Sequence, residues 1–149
     1  MARAALLVVE DSLFFARLIV DTVREVAPHL RCIVVDDGYQ ALSVLGSESG
    51  IVGVLLDITL TGLLSGIDVL AAMRRGPLRA MPAAVLSGTD RRVDMDRARQ
   101  LGADYIPKPS IDAAPMATAL QRWTSSLLEL PHAADTTRLR AAPVGARCP

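Results

Sequence analysis

Short, unbroken apolar runs alternate along this chain with longer segments whose apolar residues return every three or four positions. Residues 4–9 are a continuous apolar run that stops at Glu10-Asp11, as expected of a strand buried on both faces. Residues 12–26 carry the helical stripe Phe15, Leu18, Ile19, Thr22, Val23 and Val26, which ends before Pro28. The alternation then repeats. A strand over 32–35 precedes a short helix over 38–45 closed by Gly46, and a strand over 51–56 stops at Asp57. A helix over 66–75 ends at Gly76-Pro77, and a strand over 83–86 ends at Ser87-Gly88. A charged helix over 91–101 has Gly102 in the C-cap position. A brief strand over 105–107 leads to a helix over 113–128 with the stripe Met116, Leu120, Trp123 and Leu127.

Strands that alternate with helices, joined by connections too long for hairpins, imply a parallel sheet covered on both faces. Five such strands point to an α/β, flavodoxin-like, doubly wound sheet of order 2-1-3-4-5 with five helices. The domain is expected to span residues 1–130. Residues 131–149, rich in Ala, Pro and Arg without periodicity, read as a disordered tail.

Composition narrows the function. The chain has 149 residues, enough for one ordinary domain, with 51% hydrophobic but only 3% aromatic residues, so Ala, Leu and Val fill the interior. Net charge is zero and no run of like charge occurs, which argues against direct nucleic-acid binding or an anionic membrane surface. The tail arginines Arg138, Arg140 and Arg147 are too sparse to alter that. Cys32 and Cys148 lie far apart without metal spacing, as free thiols in a reducing compartment would. The first apolar run is too short for a signal peptide or a membrane span, and a cytoplasmic protein is expected. Of the 16 cationic residues one alone, Lys108, is lysine, set between Pro107 and Pro109. An ammonium is a compact point charge and a guanidinium a wide planar fork, so a lone lysine between prolines suits a small, rigid pocket. Chance codon bias is the plain alternative.

In doubly wound sheets ligands bind beyond the carboxyl ends of the strands. Those ends here carry Glu10 and Asp11, Asp57, Ser87 and Lys108. Strands one, three, four and five are neighbours in the expected order, so three carboxylates, a hydroxyl and an ammonium converge. Carboxylates 4 Å apart repel by about 4 kcal/mol per pair at an effective dielectric near 20. A hard divalent cation with oxygen ligands offsets that, and Mg²⁺ suits a site with few protein ligands. A chance cluster of surface acids is the competing reading.

The residues that carry a family resemblance are Val8-Val9-Glu10-Asp11-Ser12, residues 37–42 (Asp37-Gly38-Tyr39-Gln40-Ala41-Leu42), Leu55-Leu56-Asp57, residues 65–70 (Ser65-Gly66-Ile67-Asp68-Val69-Leu70), Leu86-Ser87-Gly88, and residues 102–109. In this order and spacing the chain resembles the receiver domain of bacterial two-component response regulators, of the stand-alone chemotaxis type. The resemblance implies that Asp57 is the phosphoacceptor, supplied by a phosphohistidine on a histidine kinase or phosphotransfer protein. It implies Mg²⁺ held by Asp11 and Asp57, with Glu10 acting through water and the Thr59 carbonyl as a further ligand. It implies phosphate contacts from Ser87 and Lys108, a switch made of Ser87 and Tyr105, and a cis peptide between Lys108 and Pro109. The protein would then not be an enzyme beyond its own phosphoryl transfer and dephosphorylation.

Three positions depart from the family pattern. Thr61 stands where a proline is usual, and the loop before Gly66 is one residue longer. Gly88 follows the hydroxyl residue where alanine is common, leaving a phosphate more open to water. Glu10 replaces the commoner aspartate.

Partner surfaces follow from the same layout. Phe15 falls on the core stripe of the first helix and Phe14 at its margin, where it either opens toward the site rim as a docking anchor or is buried. The face made by the fourth helix, fifth strand and fifth helix is the expected output surface toward a downstream protein, and a homodimer is a further expected assembly. The mixed charges there (Arg91, Arg92, Asp94, Asp96, Arg97, Arg99) alternatively form a solvated helix with internal ion pairs. Two other functions stay open: a receiver-like interaction module that is never phosphorylated, and a haloacid-dehalogenase-type phosphatase built on Asp57. The latter lacks its second aspartate, because Thr59 stands there, and lacks an acidic pair after Lys108.

Overall fold

The structure, a computed structural model, describes residues 3–88 and 92–130. Strands β1 (Ala5–Val9), β2 (Arg31–Val35), β3 (Ile51–Asp57), β4 (Ala83–Ser87) and β5 (Asp104–Pro107) form one parallel sheet in the order β2-β1-β3-β4-β5. Helices α1 (Leu13–Val26), α2 (Gly38–Ser47), α3 (Gly66–Arg75), α4 (Arg92–Gln100) and α5 (Ala114–Glu129) connect and follow them. This is the doubly wound arrangement that the alternating pattern implies.

Strand side chains alternate between the two faces, and each face has its own core. Leu6, Val8, Leu55, Leu86 and Ile106 pack against Ile19 and Val23 of α1 and Met116, Leu120 and Trp123 of α5. Leu7, Val9, Leu56 and Val85 pack on the other side against Leu45 of α2, Val69, Leu70 and Met73 of α3, and Ala98 of α4. Because both faces are covered, β1, β3 and β4 are apolar at nearly every position rather than at every second one.

The starts of α1, α2 and α3 are set by side-chain caps. The Ser12 hydroxyl accepts from the Phe15 amide at 3.4 Å, and the Asp37 carboxylate accepts from the Gln40 amide at 2.7 Å. Ser65 and Asp68 form a reciprocal capping box at the start of α3. One expected boundary moves. Gly46 lies within α2 and the helix runs on to Ser47, where the Glu48 amide still donates to the Val44 carbonyl. Glycine weakens a helix by about 1 kcal/mol, which a last turn already docked through Leu45 tolerates. The other boundaries agree within one or two residues. The expected tail, including Cys148, and the start of the charged helix at Arg91 lie outside the described residues. Cys32 is a half-buried free thiol, its pKa raised by burial. No helix among the described residues is long and apolar enough to cross a membrane.

Candidate functional site

Strand register brings the polar ends together. Val9 pairs with Leu56, Asp57 with Leu86, and Ser87 with Pro107, so from Glu10 to Asp57 to Ser87 to Lys108 each residue falls within one step of the one on the neighbouring strand. Alternation adds a second constraint. Glu10 continues the face of Leu6 and Val8, Asp57 that of Leu55, and Lys108 that of Ile106, all on the side covered by α1 and α5. These three side chains meet. The Lys108 Nζ lies 2.7 Å from Glu10 Oε2 and 3.0 Å from Asp57 Oδ2. All three are nearly dry: the lysine side chain is 7% exposed, that of Glu10 0% and that of Asp57 2%.

Three further carboxylate oxygens have local partners. Glu10 Oε1 accepts from the Ser12 amide at 3.1 Å. Asp57 Oδ1 accepts from the amide and the hydroxyl of Thr59, at 3.0 and 3.1 Å. Asp11 Oδ2 accepts from the amide and the hydroxyl of Thr61, at 3.0 and 2.6 Å. Burial raises the Glu10 pKa, opposed by the Lys108 ammonium and the Ser12 amide. The Thr61 hydroxyl lowers that of Asp11. Glu10 Oε2 is fully buried, with the lysine charge beside it but no well-directed hydrogen bond.

The acceptor strand end is tightly enclosed. A Cβ on Gly66 would collide with the Asp57 carbonyl and lie 3.1 Å from the Ile58 Cα, so only glycine lets α3 start this close. On the other side the Phe15 ring faces the lysine, 4.7 Å from Nζ to its centre. Ser87 is buried at the end of β4. Its carbonyl accepts from the Lys108 amide at 2.9 Å and from the Tyr105 hydroxyl at 3.3 Å. Tyr105 is half-buried with its hydroxyl turned inward, packed against the α2, α3 and α4 side of the core.

Glu10, Asp57 and Lys108 meet directly, Thr59 bonds Asp57, Asp11 lies beside the other two acids, and Ser87 joins them through its backbone carbonyl. Two expectations are corrected. The Lys108–Pro109 peptide is trans, since no cis peptide occurs among the described residues. Trans is the favoured isomer even before proline, and from it Lys108 already reaches both carboxylates. Phe15 is not a core residue. It is half-buried and packs on the lysine, whereas Phe14 is 71% exposed, its ring edge-on to Phe15 at 5.4 Å. A stripe defines the side of a helix that faces the sheet. At the first turn that side overhangs the strand ends, where charge replaces core.

Two contributors escaped the sequence reading. Thr61 was visible only as a departure from proline, with nothing to show that it reaches Asp11 fifty positions earlier. Gly66 was legible as part of a motif, but its steric need depends on how α3 docks.

One oxygen from each of Glu10, Asp11 and Asp57 can be chosen so that all lie within 4.8 Å of one another. The donors are hard carboxylate oxygens, and the buried Glu10 Oε2 lacks a directed partner. The cluster fits a divalent cation.

The sheet order and the five helices are those of the response-regulator receiver fold, which supports phosphorylation-switched signalling in general, and at its strand ends this chain carries an acidic cluster beside a buried lysine. Among solved structures the chain is similar to a response regulator receiver domain from Rhodospirillum rubrum, with 29% identity, 86% of this chain and 96% of that one covered, and a TM-score of 0.72. Its fold is also that of the phosphorylated cyanobacterial phytochrome response regulator RcpA (24% identity, 85% and 95% covered, TM-score 0.74). The Mn²⁺-bound form of response regulator Rcp1 shares it as well (21% identity, 96% and 99% covered, TM-score 0.65). No family model and no curated protein matches the sequence itself.

Proposed function

We propose that this protein is a phosphorylation switch in which Asp57 accepts a phosphoryl group from a phosphohistidine on a histidine kinase or phosphotransfer protein. The observation that carries the reading is the buried lysine held between Glu10 and Asp57, at 2.7 and 3.0 Å. A charge arrangement this dry is costly to assemble, and one removable cation beside a carboxylate is what an incoming phosphoryl group requires.

One carboxylate oxygen of Asp57 bonds to phosphorus as the P–N bond to the donor imidazole breaks, and the imidazole nitrogen keeps the electron pair. Positioning and charge neutralisation do the work, with little acid–base chemistry. Lys108 turns its ammonium to a phosphoryl oxygen and the Ser87 hydroxyl donates to another. Glu10, Asp11 and Asp57, with the Thr59 carbonyl, are the residues that would hold Mg²⁺, which when bound offsets repulsion between the carboxylate and the phosphoryl group.

Ser87 and Tyr105 relay the change, because the tyrosine hydroxyl already bonds the Ser87 carbonyl. Movement of Ser87 toward phosphate alters the surface of α4, β5 and α5 that a downstream protein meets. Exposed Phe14 serves the donor side as a docking anchor. The switch acts in the cytoplasm, with residues 1–130 as its receiver unit.

Incubation with acetyl phosphate and Mg²⁺, followed by intact mass, tests the reading. The protein should gain one phosphoryl group and Asp57→Asn should gain none, while chelation of Mg²⁺ abolishes the gain. A wild-type protein that stays unlabelled is a passive interaction module, and undiminished labelling of Asp57→Asn would falsify the acceptor assignment.

A further inference from the structure

Thr61 occupies the loop between β3 and α3, and both of its hydrogen-bond donors go to a single oxygen of Asp11, the hydroxyl at 2.6 Å and the amide at 3.0 Å. The rest of that loop is anchored differently. Leu60 is buried and Leu64 packs on the core, whereas between them Thr61, Gly62 and Leu63 are exposed, Leu63 at 86%. Gly62 has φ +112, a conformation open to glycine, and it turns the chain back immediately after Thr61. The tip of the loop is thus tied to the site through Asp11.

We propose that Thr61 is a positioning residue that holds Asp11 while no cation is bound and must give it up when a divalent cation arrives, linking cation binding to release of the loop tip. The inference rests on the cation reading of the acidic cluster given above. A carboxylate oxygen offers two lone pairs, and Thr61 fills both on Oδ2. Its two donors there partly satisfy an anion that otherwise faces Glu10 and Asp57. Oδ1 stays open to a cation, but the two oxygens share one charge, so a cation at Asp11 weakens both bonds from Thr61 and part of its binding energy is spent on loosening them. Proline at this position has neither the amide proton nor the hydroxyl, and a chain with proline there lacks the latch.

Titration of Mg²⁺ and of Mn²⁺ into the full chain by calorimetry, with amide NMR in parallel, tests this without reference to phosphorylation. Thr61→Val keeps the side-chain shape and the amide but loses the hydroxyl. It should bind either cation about tenfold more tightly, the worth of one hydrogen bond to a charged group. Thr61→Ser keeps both donors and should match the wild type. In the wild type, Mg²⁺ should shift the amides of Gly62 and Leu63, and in Thr61→Val these shifts should shrink because the tip is already loosened. Equal affinity for wild type and Thr61→Val, or weaker binding by the variant, overturns the inference while leaving the cation site intact. Absence of cation binding by all three proteins overturns the cation reading and this inference together.

Discussion

The Lys108 ammonium lies 4.7 Å from the centre of the Phe15 ring, so an aromatic face holds this cation together with two buried carboxylates. Phe15 belongs to the first turn of α1, the helix that covers the face on which Glu10, Asp57 and Lys108 project. Its ring closes the side of the lysine that the acids leave open, and the negative face of the ring quadrupole suits the charge.

Phe15→Leu should therefore destabilise the metal-free protein by about 0.5–2 kcal/mol, since it keeps apolar bulk and loses the cation–π contact. Phe14→Leu, at a position 71% exposed, should leave stability nearly unchanged. Urea denaturation of both variants separates the two. Equal effects would mean that Phe15 contributes bulk alone.

Lys108→Arg should retain cation binding but lose the response to phosphorylation. The lysine side chain is 7% exposed, wedged among Glu10, Asp57 and Phe15, and a planar guanidinium is wider than the space an ammonium fills. Calorimetry with Mg²⁺ reads the first property, and amide shifts on adding beryllofluoride read the second. A normal pattern of shifts in the variant would contradict the size argument.

Gly66→Ala should cost about 1–3 kcal/mol, the usual range for overpacking, because the added methyl meets backbone at Asp57 and Ile58 rather than a side chain that can yield. The same displacement moves the acceptor carboxylate, so labelling by acetyl phosphate should slow in the folded variant. Full stability together with full labelling would show that α3 shifts freely.

Stability should fall in acid partly through the start of α3. The amide and hydroxyl of Ser65 donate to Asp68 and lower its pKa below the ordinary 3.8. A lowered folded-state pKa means that this contribution is complete above 3.8 and lost as pH falls through the folded value. Asp68→Asn should flatten that part of the pH–stability profile. Ser65→Ala should cost about 1 kcal/mol at neutral pH through loss of the cap. Thermal melts across an acid pH series provide both tests.

Tyr105→Phe removes the hydroxyl that donates to the Ser87 carbonyl at 3.3 Å. Beryllofluoride should shift amides across residues 92–106 of the wild type, and in the variant the shifts beyond β5 should weaken. Identical patterns would place the coupling in some other route than this hydrogen bond.

The alternation of apolar runs with helical stripes determined the elements and, with them, the sheet order. A parallel strand buried on both faces has to read as a continuous apolar run, and polar residues can then stand only where the strand leaves the core. For that reason Glu10, Asp57, Ser87 and Lys108 were legible as one cluster from sequence: each is the first polar residue after its strand's apolar stretch. Tertiary structure decided which of them touch. Face parity put Lys108 between Glu10 and Asp57, whereas Asp11 turned to Thr61 in a loop whose path no periodicity specifies. It also decided Phe15, which the helical period places on the sheet side of α1 and which meets a charge because the first turn projects past the last apolar layer. Periodicity encodes direction around an element. How far along its axis an element slides, and where a loop crosses, are fixed by packing against partners remote in the chain, as the docking of α3 on Asp57 at Gly66 shows.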